Sequence, residues 1–262
     1  MSEGKRRSRR RWWLLYTVGL VGALVVVYIT NCSLIPKGVE GPGAERLLAR
    51  MKAATNNAAF FERTAAVEFD FDGRHQIVWD RRRGLAEVRF KAKGARLRVQ
   101  IATNRSRVVA WTGSRRVVGP RELETLAKTA YAYFINDTFW LNPVFHIDQK
   151  SARRYLVSPN ELLVRFESGG VTPGDTYLFK VDERYRVRKM TMWVQIIFVK
   201  GLPVIFEDYV TTETGVTLAT SHRILFYNLE LKGVRMYRRY PPLGATDPFA
   251  DLLSGGHRLG NK

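Results

Sequence analysis

From Val67 onward, apolar and polar side chains alternate along much of the chain, and this period of two restricts its fold more than any other feature. Val67, Phe69 and Phe71 alternate with acidic residues, and Gly73 provides a turn before the next alternating run. Successive side chains of a strand point to opposite faces, so these runs predict strands with one buried face. Similar runs recur as far as Tyr240. They predict about ten strands, which favours an antiparallel sheet over alternating strands and helices.

Two stretches follow a helical period instead. Residues 45–54 place Leu47, Leu48 and Met51 on one face, and residues 120–134 place apolar side chains at steps of three and four. A strongly curved sheet that stays open on one side cannot fill its interior with its own side chains. We therefore expect the two helices to cover the open side as a lid.

The N-terminal residues have the composition of a membrane-targeting segment. The first eleven residues contain six Lys or Arg and one Glu, and an uncharged, mainly apolar run follows from Trp12 to Ile29. Roughly 18 such residues are near the lower limit for a helix that crosses a bilayer, and flanking basic residues stay on the cytoplasmic side. The sequence thus predicts an N-terminal transmembrane helix with the rest of the chain in the periplasm.

Three fates of this segment stay open. An uncleaved anchor is favoured, because no short apolar core followed by small residues marks a cleaved signal peptide. Cys32 is a candidate lipidation site, which would make the chain a lipoprotein, but Asn31 stands where such signals carry a small residue. A faint twin-arginine export pattern around Ser8–Trp12 is expected by chance in so Arg-rich a stretch.

The chain therefore divides into five segments. We assign residues 1–11 to a basic cytoplasmic tail, 12–30 to a transmembrane anchor or uncleaved signal, 31–44 to a linker, 45–252 to a β domain and 253–262 to a flexible C-terminal tail. The predicted fold class is α+β. It is a strongly curved antiparallel sheet of about ten strands, a half-open β-barrel closed by helices and preceded by the transmembrane helix.

Three stretches resemble an uncharacterised family of exported bacterial proteins. They are residues 134–148 (FINDTFWLNPVFHID), residues 172–182 (TPGDTYLFKVD) and the closing Asp247-Pro248-Phe249. This family is itself similar to the lipoprotein-carrier and lipoprotein-receptor proteins of the Gram-negative periplasm, the LolA and LolB type. The resemblance covers roughly residues 45–252. It implies a half-open β-barrel closed by helices over an apolar cavity that can hold acyl chains.

No catalytic, cofactor or metal motif is recognisable. The sequence contains no phosphate loop, dinucleotide fingerprint or nucleophile elbow. The four histidines are far apart and none has a metal-ligand spacing: His75, His146, His222 and His257. The sequence therefore predicts a protein without cofactor or metal that is not an enzyme, although catalytic groups assembled from distant strands stay open.

Aromatic side chains are the candidate residues for binding a hydrophobic ligand. Some fall on the inward-reading faces of early strands, and the others cluster around the second helix and its exit loop. The predicted set is Trp79, Phe90, Trp111, Phe134, Phe139, Trp140 and Phe145. Large aromatics also dominate ordinary cores. Each of them therefore has two interpretations, cavity wall or core.

The net charge of +19 extends well beyond the N-terminus, with many Arg and Lys residues on the outward positions and turns of the early strands. Like charges on adjacent strands repel, so an anionic membrane surface is the expected partner. Nucleic acid is not expected, because only the charge favours it and the export signal opposes it. Solvated surface charge is the alternative interpretation.

These patterns lead to two functional hypotheses. The first is a membrane-tethered extracytoplasmic protein that binds a lipid or a lipoprotein acyl chain. The second is a non-catalytic structural or signalling module that binds another protein of the envelope. The expected location is the cytoplasmic membrane with the domain in the periplasm, and the alternative is a lipoprotein anchored through Cys32.

Overall fold

The computed structural model describes residues 33–149, 151–168, 174–195 and 200–259. Within these ranges the helices are α1 (Pro42–Ala54), α2 (Asn57–Arg63), α3 (Pro120–Leu141) and α4 (Ala250–Gly255), and a short 3-10 helix covers Pro143–Phe145. The strands there are β1 (Ala66–Phe71), β2 (His75–Asp80), β3 (Leu85–Ala92), β4 (Ala95–Ala102), β5 (Arg107–Thr112), β6 (Arg115–Arg116), β7 (Ala152–Ser158), β8 (Glu161–Phe166), β9 (Thr176–Val181), β10 (Val187–Trp193), β11 (Leu202–Thr211), β12 (Thr217–Ile224), β13 (Tyr227–Tyr237) and β14 (His257–Arg258).

These strands form one antiparallel sheet. The order across the sheet is β14-β5-β4-β3-β2-β1-β13-β12-β11-β10-β9-β8-β7, and β6 pairs with β5. Two meanders, β1 to β5 and β7 to β13, meet where β13 pairs with β1 on one side and β12 on the other. Strand β13 therefore joins the two meanders into one sheet.

Turn residues set the register of the early hairpins. Lys93 and Gly94 have φ angles of 48° and 78° and lie between Ala92 and Ala95, which pair with each other. Two central residues with positive φ match the twist of antiparallel strands, so this two-residue turn continues the hairpin directly. The pairing of Ala92 with Ala95 then fixes the register of β3 with β4.

The long helix α3 begins at Pro120 as predicted but continues two turns beyond Phe134, to Leu141. Nothing between these residues breaks a helix. The helix ends at Asn142 because the residue before a proline is disfavoured in the α conformation, and Asn142 is extended before Pro143. Because of this extension, Phe139 and Trp140 belong to the helix.

The core lies in two main clusters on one face of the sheet, here called the inner face, which carries α1, α2 and α3. The first cluster packs strands β1 to β5 and β13 against α3, and it includes Val67, Phe69 and Phe71 as predicted. The second packs α1 against strands β7 to β12. Trp140 contacts both clusters, so α3 links the two halves of the core.

The predicted fold class was wrong. The sheet contains fourteen strands within the described residues instead of about ten, it is not closed, and few helices accompany it. Strands β14 and β7 stand at its two ends, and no pairing between them is present in the described part of the chain. Alternation shows which side chains share a face, but two-residue strands such as β6 and β14 are too short to show a period.

None of the helices in the described ranges is both long and apolar enough to cross a membrane. The predicted transmembrane segment, residues 12–30, and the candidate lipidation site Cys32 lie outside the described residues.

Candidate functional site

The structure places six of the seven predicted aromatic residues on the inner side of the sheet. Trp79, Phe90, Phe134 and Phe145 belong to or pack against the first core cluster, Phe139 packs against the second, and Trp140 contacts both. Helix α3 and its exit loop hold four of them over the strands. The helix therefore places over the sheet residues that the sequence grouped only because they are close together along the chain.

These aromatic rings pack against other rings of the interior. Phe145 stacks on Phe60 with 3.7 Å between ring centroids, and Phe134 meets Trp79 edge-on at 5.2 Å. Phe90, Phe134 and Phe145 are buried, whereas Trp79, Phe139 and Trp140 are half-buried. The buried rings therefore form ordinary core.

Trp111 lies on the opposite face of the sheet, here called the outer face. It packs with Phe249 and Leu252 in a third cluster, and the guanidinium of Arg98 lies 3.7 Å from its ring centroid. The inner positions of β5 are Val108 and Ala110. Because apolar residues occupy both faces of β5, a period of two could not show which way Trp111 points.

The C-terminal segment covers part of the outer face. Phe249 is fully buried there, and Arg83 donates hydrogen bonds to both carboxylate oxygens of Asp247, at 2.5 and 2.9 Å. This pairing with Arg83 is the main reason that the pKa of Asp247 is lowered. Arg83 also contacts Asp80 at 2.6 Å. Part of the basic charge predicted for a partner is therefore neutralised within the chain.

A buried ion-pair geometry links α3 to β2. His75 Nδ1 lies 2.8 Å from Asp137 Oδ2, and the Asp137 side chain is fully buried. The ring of Tyr133 stacks on His75 at 3.9 Å. Among the described residues, no cluster of three or more His, Cys, Asp or Glu side chains could hold a metal ion. The pair joins α3 to β2.

His222 is a buried polar side chain on the inner face. Its ring is fully buried between Phe206 and Trp140, at centroid distances of 4.6 and 5.7 Å. Within the described part of the chain, neither ring nitrogen has a side-chain partner that meets hydrogen-bonding geometry. Burial lowers the pKa of His222 to about 4, and a smaller contribution from the Leu229 backbone acts in the opposite direction. His222 is therefore neutral at neutral pH.

Strands β12 and β13 pair only near their shared turn and then separate. With increasing distance from the turn, the last pair is Ser221 with Glu230. Beyond this pair, β12 still pairs with β11 and β13 pairs with β1. Gly233, with φ of 60°, stands where the register of β13 with β1 shifts. A bulge bends a strand and increases its twist, so it accounts for the separation. We call the gap, which Thr220 and Leu231 border, the wedge.

The wedge contains an open cavity of about 500 Å³. Ligand pockets in proteins span about 300 to 1,000 Å³, so the volume suits a small ligand or part of a lipid. Its walls combine apolar and polar side chains, which are Val210, Thr211, Thr212, Glu213, Thr220, Leu231, Gly233 and Val234.

The two kinds of wall have different surroundings. Leu231 and Val234 belong to or pack against the first core cluster, so their apolar surface continues into the interior. The hydroxyl groups already donate or share hydrogen bonds within the chain, as in Thr220 Oγ1 to the Asp208 carbonyl at 2.8 Å. A hydroxyl that donates in this way still offers lone pairs to a ligand. The wedge can therefore hold a hydrocarbon chain beside a polar group.

Sequence reasoning missed the wedge, and none of the seven predicted aromatic residues lines it. The only signals were Gly233 inside an alternating run and the threonine-rich stretch 211–220. A glycine inside a strand marks a bulge or a close approach. That signal does not show from which neighbouring strand β13 separates.

Comparisons with known proteins give little further information. The sequence matches no protein-family model and no curated protein. Among solved structures, the fold is similar to the crystal structure of a DUF1329 family protein from Desulfovibrio piger. The two chains are 8% identical, the alignment covers 80% of this chain and 97% of the other, and the TM-score is 0.38. So low a score supports no argument about function, and the resemblance to the LolA and LolB type is not confirmed.

Proposed function

We propose that this chain is a membrane-attached extracytoplasmic protein that binds a lipid-like ligand in the wedge between β12 and β13. The observation that carries the proposal is the cavity of about 500 Å³ whose apolar walls, Leu231 and Val234, continue into the main core. A hydrocarbon chain in contact with these walls is removed from water at about 25 cal/mol per Å² of apolar surface.

The polar side of the wedge restricts the headgroup. Glu213 is the acidic residue of the lining, and its Oε2 accepts a hydrogen bond from the Met236 backbone at 3.3 Å. A carboxylate repels an anionic group placed beside it. We therefore infer a ligand with a neutral or cationic polar end, and threonine hydroxyls supply its hydrogen bonds.

Two features of the sequence support this class of ligand and its location. The apolar run Trp12–Ile29 follows a basic tail, which is typical of attachment to the membrane with the remaining chain outside the cytoplasm. The three stretches resemble an uncharacterised exported family that is itself similar to carriers and receptors of the LolA and LolB type, which suggests lipoprotein acyl chains as natural ligands. In this proposal the ligand site is the wedge and not a barrel interior.

A fluorescent monoacylglycerol, which has one acyl chain and no charge, tests the proposal with the full-length purified chain. We expect saturable binding that Val234→Phe weakens by about tenfold or more, because the larger ring occupies the cavity; this corresponds to the loss of about 1.4 kcal/mol. Val118→Phe is the matched control, since Val118 is exposed and lies outside the wedge. Equal binding by the wild type and Val234→Phe would reject the wedge as the site.

The second candidate function is a non-catalytic module that binds another envelope protein. The observation in its favour is the packing of Phe90, Phe134 and Phe145 into core, which leaves these rings no role as walls of an acyl-chain cavity. Copurification of a defined envelope protein, with no lipid in mass spectra of the purified complex, would support this candidate over lipid binding.

A further inference from the structure

The turn between β12 and β13 exposes two large apolar side chains. Ile224 pairs with Tyr227, so the turn consists of Leu225 and Phe226 alone. The Phe226 side chain is 99% exposed and Leu225 is 50% exposed. Leu225 has φ of 55°, a left-handed conformation that two-residue turns normally assign to Gly or Asn. The hairpin accounts for this backbone conformation, but the exposure of the two apolar side chains has no explanation in the folding of the chain itself.

Ser33 is attached to the sheet at this same end. Ser33 donates its backbone N–H to the Lys200 carbonyl at 3.0 Å and accepts from Trp193 Nε1 at 2.6 Å. Lys200 directly precedes Gly201 and the start of β11, where Val204 pairs with Ile224, the last residue of β12. Ser33 and the Leu225–Phe226 turn are therefore at one end of neighbouring strands.

The apolar run of the sequence ends four residues before Ser33, at Ile29. Four residues span at most about 14 Å of extended chain. If that run is held in a membrane, the end of the sheet that contains Ser33 must lie close to the membrane surface.

Positive charge occupies turns at this same end. The β1–β2, β3–β4 and β5–β6 turns reach it, because β1, β3 and β5 run in the same direction as β12. Lys93 is exposed in the β3–β4 turn and Arg115 at the start of β6, whereas the exposed Arg74 pairs with Asp72 at 3.3 Å. Tyr227, beside the apolar turn, donates its hydroxyl to Asp72 and carries the Arg74 guanidinium at 5.4 Å over its ring. An apolar tip beside an aromatic residue, at a sheet end that also carries Lys93 and Arg115, suits the interface of an anionic bilayer.

We propose that the Leu225–Phe226 turn inserts into the membrane interface and orients the sheet with this end against an anionic bilayer. The inference rests on the membrane attachment in the proposed function but not on the wedge. In this arrangement the apolar side chains of the turn leave water and lie at the boundary between the lipid headgroups and the acyl chains.

Photocrosslinking of the full chain in proteoliposomes tests the proposal. The photoreactive analogue p-benzoylphenylalanine replaces Phe226 in one protein and Phe61 in another, and the vesicles contain an alkyne-labelled phosphatidylcholine. Phe61 is the matched control, because it is a 53% exposed phenylalanine in α2, which precedes β1 and so lies toward the opposite end of the strands. We expect lipid adducts at position 226 and few or none at position 61.

A second comparison tests the charge. Adding phosphatidylglycerol to the vesicles should raise the yield at position 226 by about fivefold, which corresponds to one basic residue near an anionic surface. Equal lipid yields at the two positions, or adducts at position 226 with a second copy of the chain instead of lipid, would overturn the proposal. Failure of the wedge to bind monoacylglycerol would leave these adducts unaffected, so the two proposals fail separately.

Discussion

The imidazole of His222 lies edge-on to the ring of Phe206, with 4.6 Å between ring centroids and 87° between ring planes. The contact places an ionisable side chain on the inner face, where Trp140 of α3 completes an aromatic enclosure around it. An imidazole in such surroundings stays neutral because its charged form loses its hydration on burial.

The first prediction follows from the lowered pKa of His222. Its pKa is about 4 in the folded chain and about 6.5 when unfolded, so between these values the unfolded chain binds a proton that the folded chain does not. Stability should therefore fall as pH decreases, by about 2 kcal/mol from this residue between about pH 7.5 and about pH 5. Urea unfolding of the wild type and His222→Leu measures it.

His222→Leu should reduce this pH dependence. His257→Gln, at an exposed position, is the control and should leave the dependence unchanged. Burial also lowers the pKa of His146, so part of the dependence should persist in His222→Leu. An unchanged slope between the wild type and His222→Leu would contradict the assignment.

The second prediction concerns the buried contact between His75 and Asp137. Removing Asp137 leaves the Nδ1 of the partly buried His75 without its partner, so Asp137→Ala should lower the free energy of unfolding by about 1 to 3 kcal/mol. Asp137→Asn retains an acceptor oxygen and should cost less. A double-mutant cycle with His75→Ala should show coupling above about 0.5 kcal/mol, and strictly additive losses would contradict a direct interaction.

The third prediction concerns the C-terminal segment on the outer face. Phe249 is fully buried against Leu85, Val109 and Trp111. Phe249→Ala should therefore lower the free energy of unfolding by about 3 to 5 kcal/mol.

Asp247→Ala removes the paired hydrogen bonds to Arg83 and should mainly release the segment locally. Limited proteolysis should then cleave between Leu243 and Thr246, which are exposed, faster than in the wild type, with a small change in global unfolding. Unchanged proteolysis would show that Phe249 alone holds the segment.

The fourth prediction concerns the attachment of Ser33 to the sheet. Gly201 has φ of 82°, and a Cβ atom there would lie 2.0 Å from Ser33 Oγ. Gly94 has a similar φ of 78°, but a Cβ atom added there would meet nothing within 4 Å. Gly94→Ala therefore measures backbone strain alone, about 1 kcal/mol, and Gly201→Ala should cost more than this because Ser33 must also move. Equal losses in urea unfolding of the two variants would show that Ser33 is easily displaced.

Part of the fold was predictable because local patterns determine it. Alternation placed Val67, Phe69 and Phe71 on one buried face, and the turn residues Lys93 and Gly94 set a hairpin with its neighbours. The period of three and four residues identified α1 and the first part of α3. Each of these features depends on residues within a few positions of one another.

The candidate site was not predictable in the same way. The wedge exists because β13 pairs with β1, some 160 residues earlier in the chain, and leaves β12 after Glu230. Trp111 was assigned to the wrong face because both faces of β5 are apolar, and its packing against Phe249 involves residues far apart in sequence. Phe134 of α3 packs against Trp79 and Phe145 of the following 3-10 helix stacks on Phe60, so these predicted rings belong to the core through contacts that no local pattern shows.

The sequence by itself determined most of the longer strands, α1 and the first part of α3, the basic charge and the apolar N-terminal run, because propensity, periodicity and composition are properties of neighbouring residues. Only the tertiary structure decided that the sheet stays open, that β12 and β13 separate, and that Phe226 and Ser33 share one end of the sheet. Those outcomes depend on which distant strands exchange hydrogen bonds, and the energy of that choice is spread over contacts between residues that no local pattern connects.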